Sequence, residues 1–189
     1  MKTTLVGLSG SLRRDSFNTR LLHASQRLCP DGTTLDIQSI ESVPLYNFDV
    51  ENADGIPTAV TDLKEKIASA DGLLIATPEY NNSIPGVLKN AIDWLSRPAD
   101  DISRVFGERP VAIIGATPGG FGTMLAQNAW LPIMRTLGTR MWTGGRLLVP
   151  HAGQLFDDAG NLNDDTIEKR LESFLAGFVE FVEATKVEQ

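Results

Sequence analysis

The sequence predicts an α/β fold, in which a parallel β-sheet is covered by helices on both faces. Short unbroken apolar runs, such as GLLIAT at 72–77 and VAIIGAT at 111–117, alternate with segments whose apolar residues recur at helical spacing. Unbroken apolar runs are typical of parallel strands that are buried on both faces. Because strands and helices alternate along all 189 residues without a repeat or a linker, we expect a single domain over 1–189.

Five strands and five helices follow from these patterns. The strands are predicted at 3–9, 34–39, 72–77, 111–117 and, broken around a Gly-Gly pair, at 139–142 and 146–149. The helices are predicted at 17–28, from Pro57, from Pro85, after the glycines of 119–122 as far as 137, and after the acidic pair 164–165. The stretch 41–57 has no clear period and is predicted to be a surface connection, while 156–162 is predicted to be a turn.

The composition argues against several classes of protein. The formal net charge is −7, so a nucleic-acid partner has no general electrostatic support. No apolar run approaches the ~20 residues that span a bilayer, and the first residues do not form a signal peptide, so we expect a cytoplasmic protein without a membrane partner. The single cysteine, Cys29, cannot form an internal disulfide and is expected to be an inert, half-buried thiol.

The loop after the first strand carries hydrogen-bond donors that suit a phosphate. In LVGLSGSLRRDSFN (5–18) the donors include the Ser11 and Ser16 hydroxyls, the Arg13 guanidinium, the Asn18 amide and the free N–H groups of a helix start. The loop has neither the G-x-G-x-x-G spacing of a dinucleotide site nor the lysine of a triphosphate-binding loop. A monophosphate therefore suits it best, while the simpler alternative is that Asp15 or Ser16 is only a helix cap and the arginines are only a solvated face.

Two further loops follow the third and fourth strands. In TPEYNNSIPG (77–86) the polar groups offer in-plane hydrogen bonds to a heteroaromatic ring, and in TPGGFG (117–122) the glycines leave bare backbone over which a planar ligand can lie. In a flavodoxin-like three-layer sandwich of strand order 2-1-3-4-5, all three loops meet at the carboxyl edge of the sheet, where ligands of such folds bind. A tight turn explains the second or the third loop equally well when that loop is taken alone.

Together these loops resemble the NADPH-dependent FMN reductase family of flavodoxin-like proteins, which includes bacterial quinone, chromate and azo-dye reductases. The resemblance rests on GSLR (10–13) with Ser16 and Asn18, on PEYN (78–81) and on IPGVLKNAIDW (84–94). It implies FMN at the sheet edge, with NADPH or NADH as electron donor and a quinone, chromate, an azo compound or free flavin as acceptor in a ping-pong reaction. It also implies a homodimer or homotetramer formed through the helix 85–95. Trp94 lies off the apolar stripe of that helix, which predicts either an exposed residue at an oligomer contact or a partly buried surface aromatic.

The resemblance implies a role in cofactor binding for eleven residues. They are Ser11, Arg13, Ser16 and Asn18 on the phosphate, Pro78, Glu79, Tyr80 and Asn81 along the isoalloxazine, and Thr117, Gly119 and Gly120 on the ring side of the third loop. Because the flavin N5 carries the hydride, no catalytic side chain and no metal is expected. His23 and His151 accordingly lie outside the three loops.

Two other functions share these features. A flavodoxin-like one-electron carrier has the same fold and cofactor, although such carriers are usually more acidic and have a threonine-rich phosphate loop. A non-catalytic FMN-binding protein has the same cofactor loops. Arg14 suits either solvent or the 2′-phosphate of NADPH, which leaves the choice between NADPH and NADH open.

Overall fold

The structure, a computed structural model, describes residues 2–157 and 159–187 and has the predicted alternation of strands and helices. The strands are β1 (Thr3–Ser9), β2 (Thr33–Gln38), β3 (Gly72–Ala76), β4 (Pro110–Ala116), β5 (Arg140–Met141) and β6 (Leu147–Val149). The helices are α1 (Phe17–Arg27), α2 (Phe48–Asp54), α3 (Thr58–Ser69), α4 (Gly86–Leu95), α5 (Ile102–Val105), α6 (Met124–Thr136) and α7 (Asp165–Val187). Two short 3₁₀ turns lie at Ala99–Asp101 and Ala152–Gln154.

The sheet is parallel throughout and has the order β2-β1-β3-β4-β5, which confirms the flavodoxin-like prediction. Its edge strand is split, because Arg140 of β5 pairs with Pro110 at the start of β4 and Leu147 of β6 pairs with Ile114 further along. Between the two halves the chain leaves the sheet and Trp142 packs edge-on against a phenylalanine of α7, with ring centroids 4.6 Å apart. A Cβ on Gly144 would lie 2.7 Å from the indole, so the Gly-Gly pair makes room for this ring.

Apolar side chains fill both faces of the sheet. One layer lies between the sheet and the helices α1 and α7, and the other lies between the sheet and α3, α4 and α6. Along β3, Leu74 and Ala76 belong to the first layer, while Leu73 and Ile75 belong to the second. This double burial explains the unbroken apolar runs and leaves the loops at the strand ends as the place for a ligand.

The prediction that Trp94 is exposed was wrong. Its side chain is fully buried, its Nε1 donates a hydrogen bond to the Pro44 carbonyl at 2.9 Å, and the Tyr46 ring packs edge-on against it at 5.0 Å. The connection 41–57 folds back over α4 and covers the indole, which the periodicity of α4 alone does not reveal. An exposed contact through Trp94 is therefore excluded.

The connection 41–57 also contains α2, which the sequence did not predict. None of the residues of α2 is buried, so the helix has no apolar stripe to reveal it. It begins after Asn47, whose side chain accepts a hydrogen bond from Asp49 N, and it is tied to the end of α4 by the ion pair between Glu51 and Arg97.

The remaining differences concern two helix boundaries and one short helix. Pro57 and Pro85 each precede their helix as the cap residue instead of opening it. The short helix α5 was not predicted. Residue 158 of the predicted turn 156–162 lies outside the described residues, while Phe156 and Leu162 form an antiparallel bridge.

No helix within the described ranges is long and apolar enough to cross a membrane.

Candidate functional site

A cavity of about 190 Å³ opens at the carboxyl ends of β1, β3 and β4, where the three predicted loops meet. Eight of the eleven predicted residues line it, and Asn81, Gly119 and Gly120 are not among the lining residues. The lining consists of Ser11, Arg13, Ser16, Phe17, Asn18, Pro78, Glu79, Tyr80, Ala116, Thr117 and Pro118. Sequence reasoning missed Phe17, Ala116 and Pro118, although each of them adjoins a predicted residue.

Two glycines allow the three loops to approach one another closely. A Cβ on Gly10 would lie 2.7 Å from a methyl carbon of Leu88 and 2.9 Å from Pro78 Cδ. A Cβ on Gly115 would lie 1.9 Å from Thr123 Oγ1 and 2.5 Å from a backbone oxygen. Any larger residue would push the loops apart, so these glycines set the width of the cavity.

The end of the cavity that is predicted to hold a phosphate is the start of α1. The buried Ser16 caps this helix, and its Oγ accepts hydrogen bonds from Asn18 N at 3.2 Å and from Thr19 N at 3.4 Å, which leaves the hydroxyl hydrogen free to donate. The first turn of α1 holds no acidic residue, and no carboxylate in the described part of the chain forms an ion pair with Arg13. A guanidinium and a helix N-terminus therefore offer uncompensated positive charge to an anion.

Asn18 joins α1 to the end of β4. Its Nδ2 donates a hydrogen bond to the Ala116 carbonyl and its Oδ1 accepts one from Ala116 N, both at 2.9 Å, and the side chain is buried. One amide hydrogen is left over for a ligand. The first role of Asn18 is thus to hold the phosphate loop beside the third loop.

The second loop makes a tight turn. Tyr80 and Ser83 exchange backbone hydrogen bonds of 3.1 and 3.0 Å across Asn81 and Asn82, whose φ angles of 51° and 61° are those of a type I′ turn. Asparagine tolerates this left-handed conformation better than most residues do. The turn points the backbone of 78–80 towards the cavity.

Glu79 ties the second loop to the third loop. Its Oε2 accepts hydrogen bonds from Leu125 N at 2.8 Å and from Ala126 N at 3.1 Å, so its carboxylate caps α6. Thr123, the residue that precedes α6, makes no side-chain cap bond of its own. The helix dipole and two charge-assisted hydrogen bonds hold the carboxylate at this position.

The third loop is braced by the segment that follows β6. Ala152 N donates to the Thr117 carbonyl at 2.9 Å and His151 N donates to the Gly119 carbonyl at 3.0 Å. A Cβ on Gly119 would meet only Thr117 Oγ1, at 3.7 Å, and one on Gly120 would lie 3.8 Å from the imidazole of His151. The glycine backbone is therefore an open surface, and His151 lies beside it, at the ligand edge.

The cavity fits FMN in its donor set. Hydroxyls, a guanidinium and a helix N-terminus suit the phosphate, and the bare glycine backbone that follows Pro118 in the third loop suits a flat ring. Enclosed ligand pockets usually measure ~300–1,000 Å³. Because this cavity is smaller, the ring would extend into its open mouth, between the second and third loops.

The other features of the described chain do not form a comparable site. A larger cavity of about 640 Å³ lies between Trp142 and α7 and contains none of the residues of the three loops. Burial raises the pKa of the Cys29 thiol to about 11, so it stays protonated at neutral pH. Within 2–157 and 159–187, no cluster of His, Cys, Asp and Glu could hold a metal ion.

Known proteins resemble this chain along nearly its whole length. The family model described as NADPH-dependent FMN reductase matches residues 3–154. A 2-hydroxy-1,4-benzoquinone reductase from a Burkholderia species is 39% identical over 178 residues, which cover 94% of this chain and 95% of that protein. An NAD(P)H-dependent FMN reductase from Pseudomonas aeruginosa is 41% identical over 171 residues, 90% of each chain. Among solved structures, FerB, a flavoenzyme NAD(P)H:(acceptor) oxidoreductase from Paracoccus denitrificans, matches with a TM-score of 0.86 at 33% identity, covering 97% of this chain and 98% of that one.

Proposed function

We propose that this chain is an FMN-dependent oxidoreductase that passes electrons from NADPH or NADH to quinones or related acceptors. The chain belongs to the NADPH-dependent FMN reductase family, whose members include such enzymes. One observation carries this proposal. A cavity with uncompensated positive charge at one end lies at the junction of three loops, and the open glycine backbone of the third loop continues from its lining. We place the enzyme in the cytoplasm, which is one of the compartments that supply NADPH and NADH.

The residues at the phosphate end bind and orient the cofactor. Ser11 and Ser16 donate their hydroxyls, and Arg13 contributes a charge and a planar set of N–H donors. Asn18 keeps this loop in place through Ala116 and has one amide hydrogen left to donate. These contacts select a phosphorylated flavin over a flavin without a phosphate.

The residues at the ring end would hold the flavin ring between the second and third loops. Pro78, Glu79 and Tyr80 would contact it from the second loop, followed by Asn81 in the turn, and Thr117, Gly119 and Gly120 would contact it from the third, which is supported by the presence of Pro78, Glu79, Tyr80 and Thr117 in the cavity lining. When bound, FMN would supply hydride acceptance from the nicotinamide and two-electron delivery to the acceptor, in two half-reactions. The chain's own part is to position the ring and to stabilise its negative charge with backbone dipoles.

Exposed apolar side chains near the mouth favour a planar apolar acceptor. Tyr80 is 45% exposed, Phe121 68% and Leu125 39%, and all three belong to the two ring-side loops or to the start of α6. A quinone can pack against such side chains, whereas an oxyanion such as chromate gains little from them. This supports a quinone as the preferred acceptor.

Steady-state kinetics test the proposal. Oxidation of NADPH by the FMN-loaded protein is measured against benzoquinone, chromate, an azo dye and free FMN, at several fixed NADPH concentrations. We expect parallel double-reciprocal lines and the highest kcat/KM for the quinone. A protein that binds FMN but oxidises neither NADPH nor NADH would instead be a carrier or a non-catalytic flavoprotein.

The proposal includes a homodimer or homotetramer in which α4 lies at the contact. The connection beside α4 exposes Leu45 by 86% and Val50 by 39%, and it is fixed to the helix by the 2.8 Å hydrogen bond from Tyr46 N to Asn90 Oδ1. Exposed apolar residues of this kind often mark a protein interface. Light scattering should give a dimer or tetramer that Leu45→Glu converts to a monomer, and a monomeric wild type would contradict this part.

A further inference from the structure

A phenylalanine lies directly beneath the arginine at the phosphate end. The guanidinium carbon of Arg13 is 4.9 Å from the centroid of the Phe17 ring, within the range of a cation–π contact. The Phe17 ring in turn stacks on Phe156, with centroids 6.1 Å apart and planes 21° apart. Phe17 is half-buried and lines the cavity, and Phe156 is almost fully buried.

The two rings attach a flexible side chain to a rigid part of the molecule. Arg13 is exposed and has no carboxylate partner in the described residues, so no ion pair fixes its position. Phe156 is held by its antiparallel bridge to Leu162, just before α7. The stack therefore connects the guanidinium through Phe17 to the base of α7.

We propose that Phe17 is a positioning residue that holds the Arg13 guanidinium ready for the cofactor phosphate and thereby raises the preference for FMN over riboflavin. This rests on the proposed function, because it takes the phosphate of FMN as the ligand of Arg13. An arginine that is already restrained loses less side-chain freedom when it binds, so more of its attraction to the phosphate appears as affinity. Riboflavin has no phosphate and gains nothing from this restraint.

The experiment compares two ligands that differ only in the phosphate. Dissociation constants of FMN and riboflavin are measured by fluorescence titration for the wild type, Phe17→Leu, Arg13→Ala and the double variant. We expect Phe17→Leu to reduce the ratio of riboflavin to FMN dissociation constants about two- to fivefold, the effect that one cation–π contact at an exposed site supports. In the Arg13→Ala background the same substitution should leave the ratio unchanged, because its partner is absent.

Phe48→Leu is the matched control. Phe48 is also exposed and also lies near an arginine, since the guanidinium carbon of Arg97 is 6.0 Å from its ring centroid, but it belongs to α2, away from the cavity. This variant should bind both flavins like the wild type.

The outcomes separate this inference from the proposed function. If Phe17→Leu weakens FMN and riboflavin equally, Phe17 only supports the local structure and the inference is wrong. If the ratio falls as far in the Arg13→Ala background as in the wild type, Phe17 does not act through Arg13 and the inference is wrong too. If the wild type binds neither flavin, the proposed function fails together with the inference.

Discussion

Asn18 and Glu79 each have a role that is visible only in three dimensions. The sequence indicated both as polar ligand groups at a sheet edge. The structure shows that Asn18 pairs with Ala116, 98 positions away, and that Glu79 caps a helix that begins 45 residues later. Local spacing predicts which polar residues reach the ligand edge, but it carries no information on partners so far along the chain.

Replacing Asn18 should destabilise the protein even without a ligand. Asn18→Ala leaves the buried N–H and C=O of Ala116 without partners, which should lower the free energy of unfolding by about 2–4 kcal/mol. Urea unfolding of the cofactor-free protein measures this, because a bound flavin would add its own stabilisation. The exposed Asn52→Ala in α2 is the control, and a loss below ~0.5 kcal/mol for Asn18→Ala would contradict the assignment.

Asp101 should make stability depend on pH. It accepts hydrogen bonds from Arg104 Nε at 2.6 Å and Nη2 at 3.0 Å, and it pairs with the buried Lys64, so its pKa lies well below its usual value, first because of Arg104 and then because of Lys64. A carboxyl whose folded pKa is lowered stabilises the fold above its ordinary pKa of ~3.9, and this stabilisation is lost as the pH falls towards the folded pKa.

Asp101→Asn should therefore unfold at a lower urea concentration than the wild type at pH 7. The difference between the two unfolding midpoints should be smaller at pH 3. The neighbouring Asp100→Asn is the matched control, because Asp100 is exposed and has no ion pair within the described residues. An equal difference in unfolding midpoint at both pH values would show that the charge of Asp101 does not cause the loss of stability.

Elements with strong apolar patterns were predicted closely, and elements without them were not. β1 has the predicted limits, and the limits of α1, β3 and β4 differ by one residue at most. α2 has no buried residue and left no apolar pattern to detect. The position of Trp94 was predicted wrongly for a related reason, since the connection 41–57 packs against its indole and the periodicity of α4 does not reveal this contact.

The packing of the second and third loops should depend on Gly115 of β4. A Cβ there would overlap Thr123 Oγ1, so Gly115→Ala should cost at least ~1–3 kcal/mol of stability and also weaken FMN binding. Gly86→Ala at the start of α4 is the control, because a Cβ there would meet nothing within 4 Å. Thermal unfolding and FMN titration measure both effects, and a Gly115→Ala protein as stable as the control would contradict the close approach of the loops.

For the molecule as a whole, the alternation of buried strands and helices predicted a parallel sheet covered on both faces, and the order of its strands followed from taking that sheet as flavodoxin-like. That order brings the ends of β1, β3 and β4 together, which is why three loops that are each ambiguous alone become one site. The sequence could not reveal the distances between the loops of that site or the contacts that hold these loops together. They depend on Gly10 and Gly115, on the cap that Glu79 provides and on the Phe17 stack, all of which involve residues distant in sequence.

The central claim is that this junction of loops binds FMN by its phosphate, and calorimetric titration of the cofactor-free protein with FMN tests it most directly. We predict one FMN per chain and a dissociation constant about 10- to 150-fold higher for Arg13→Ala, the effect of losing ~1.5–3 kcal/mol from a hydrogen bond to a charged group. Arg135→Ala, on the exposed side of α6, should bind FMN like the wild type. Absence of FMN binding, or an unchanged affinity in Arg13→Ala, would contradict the account.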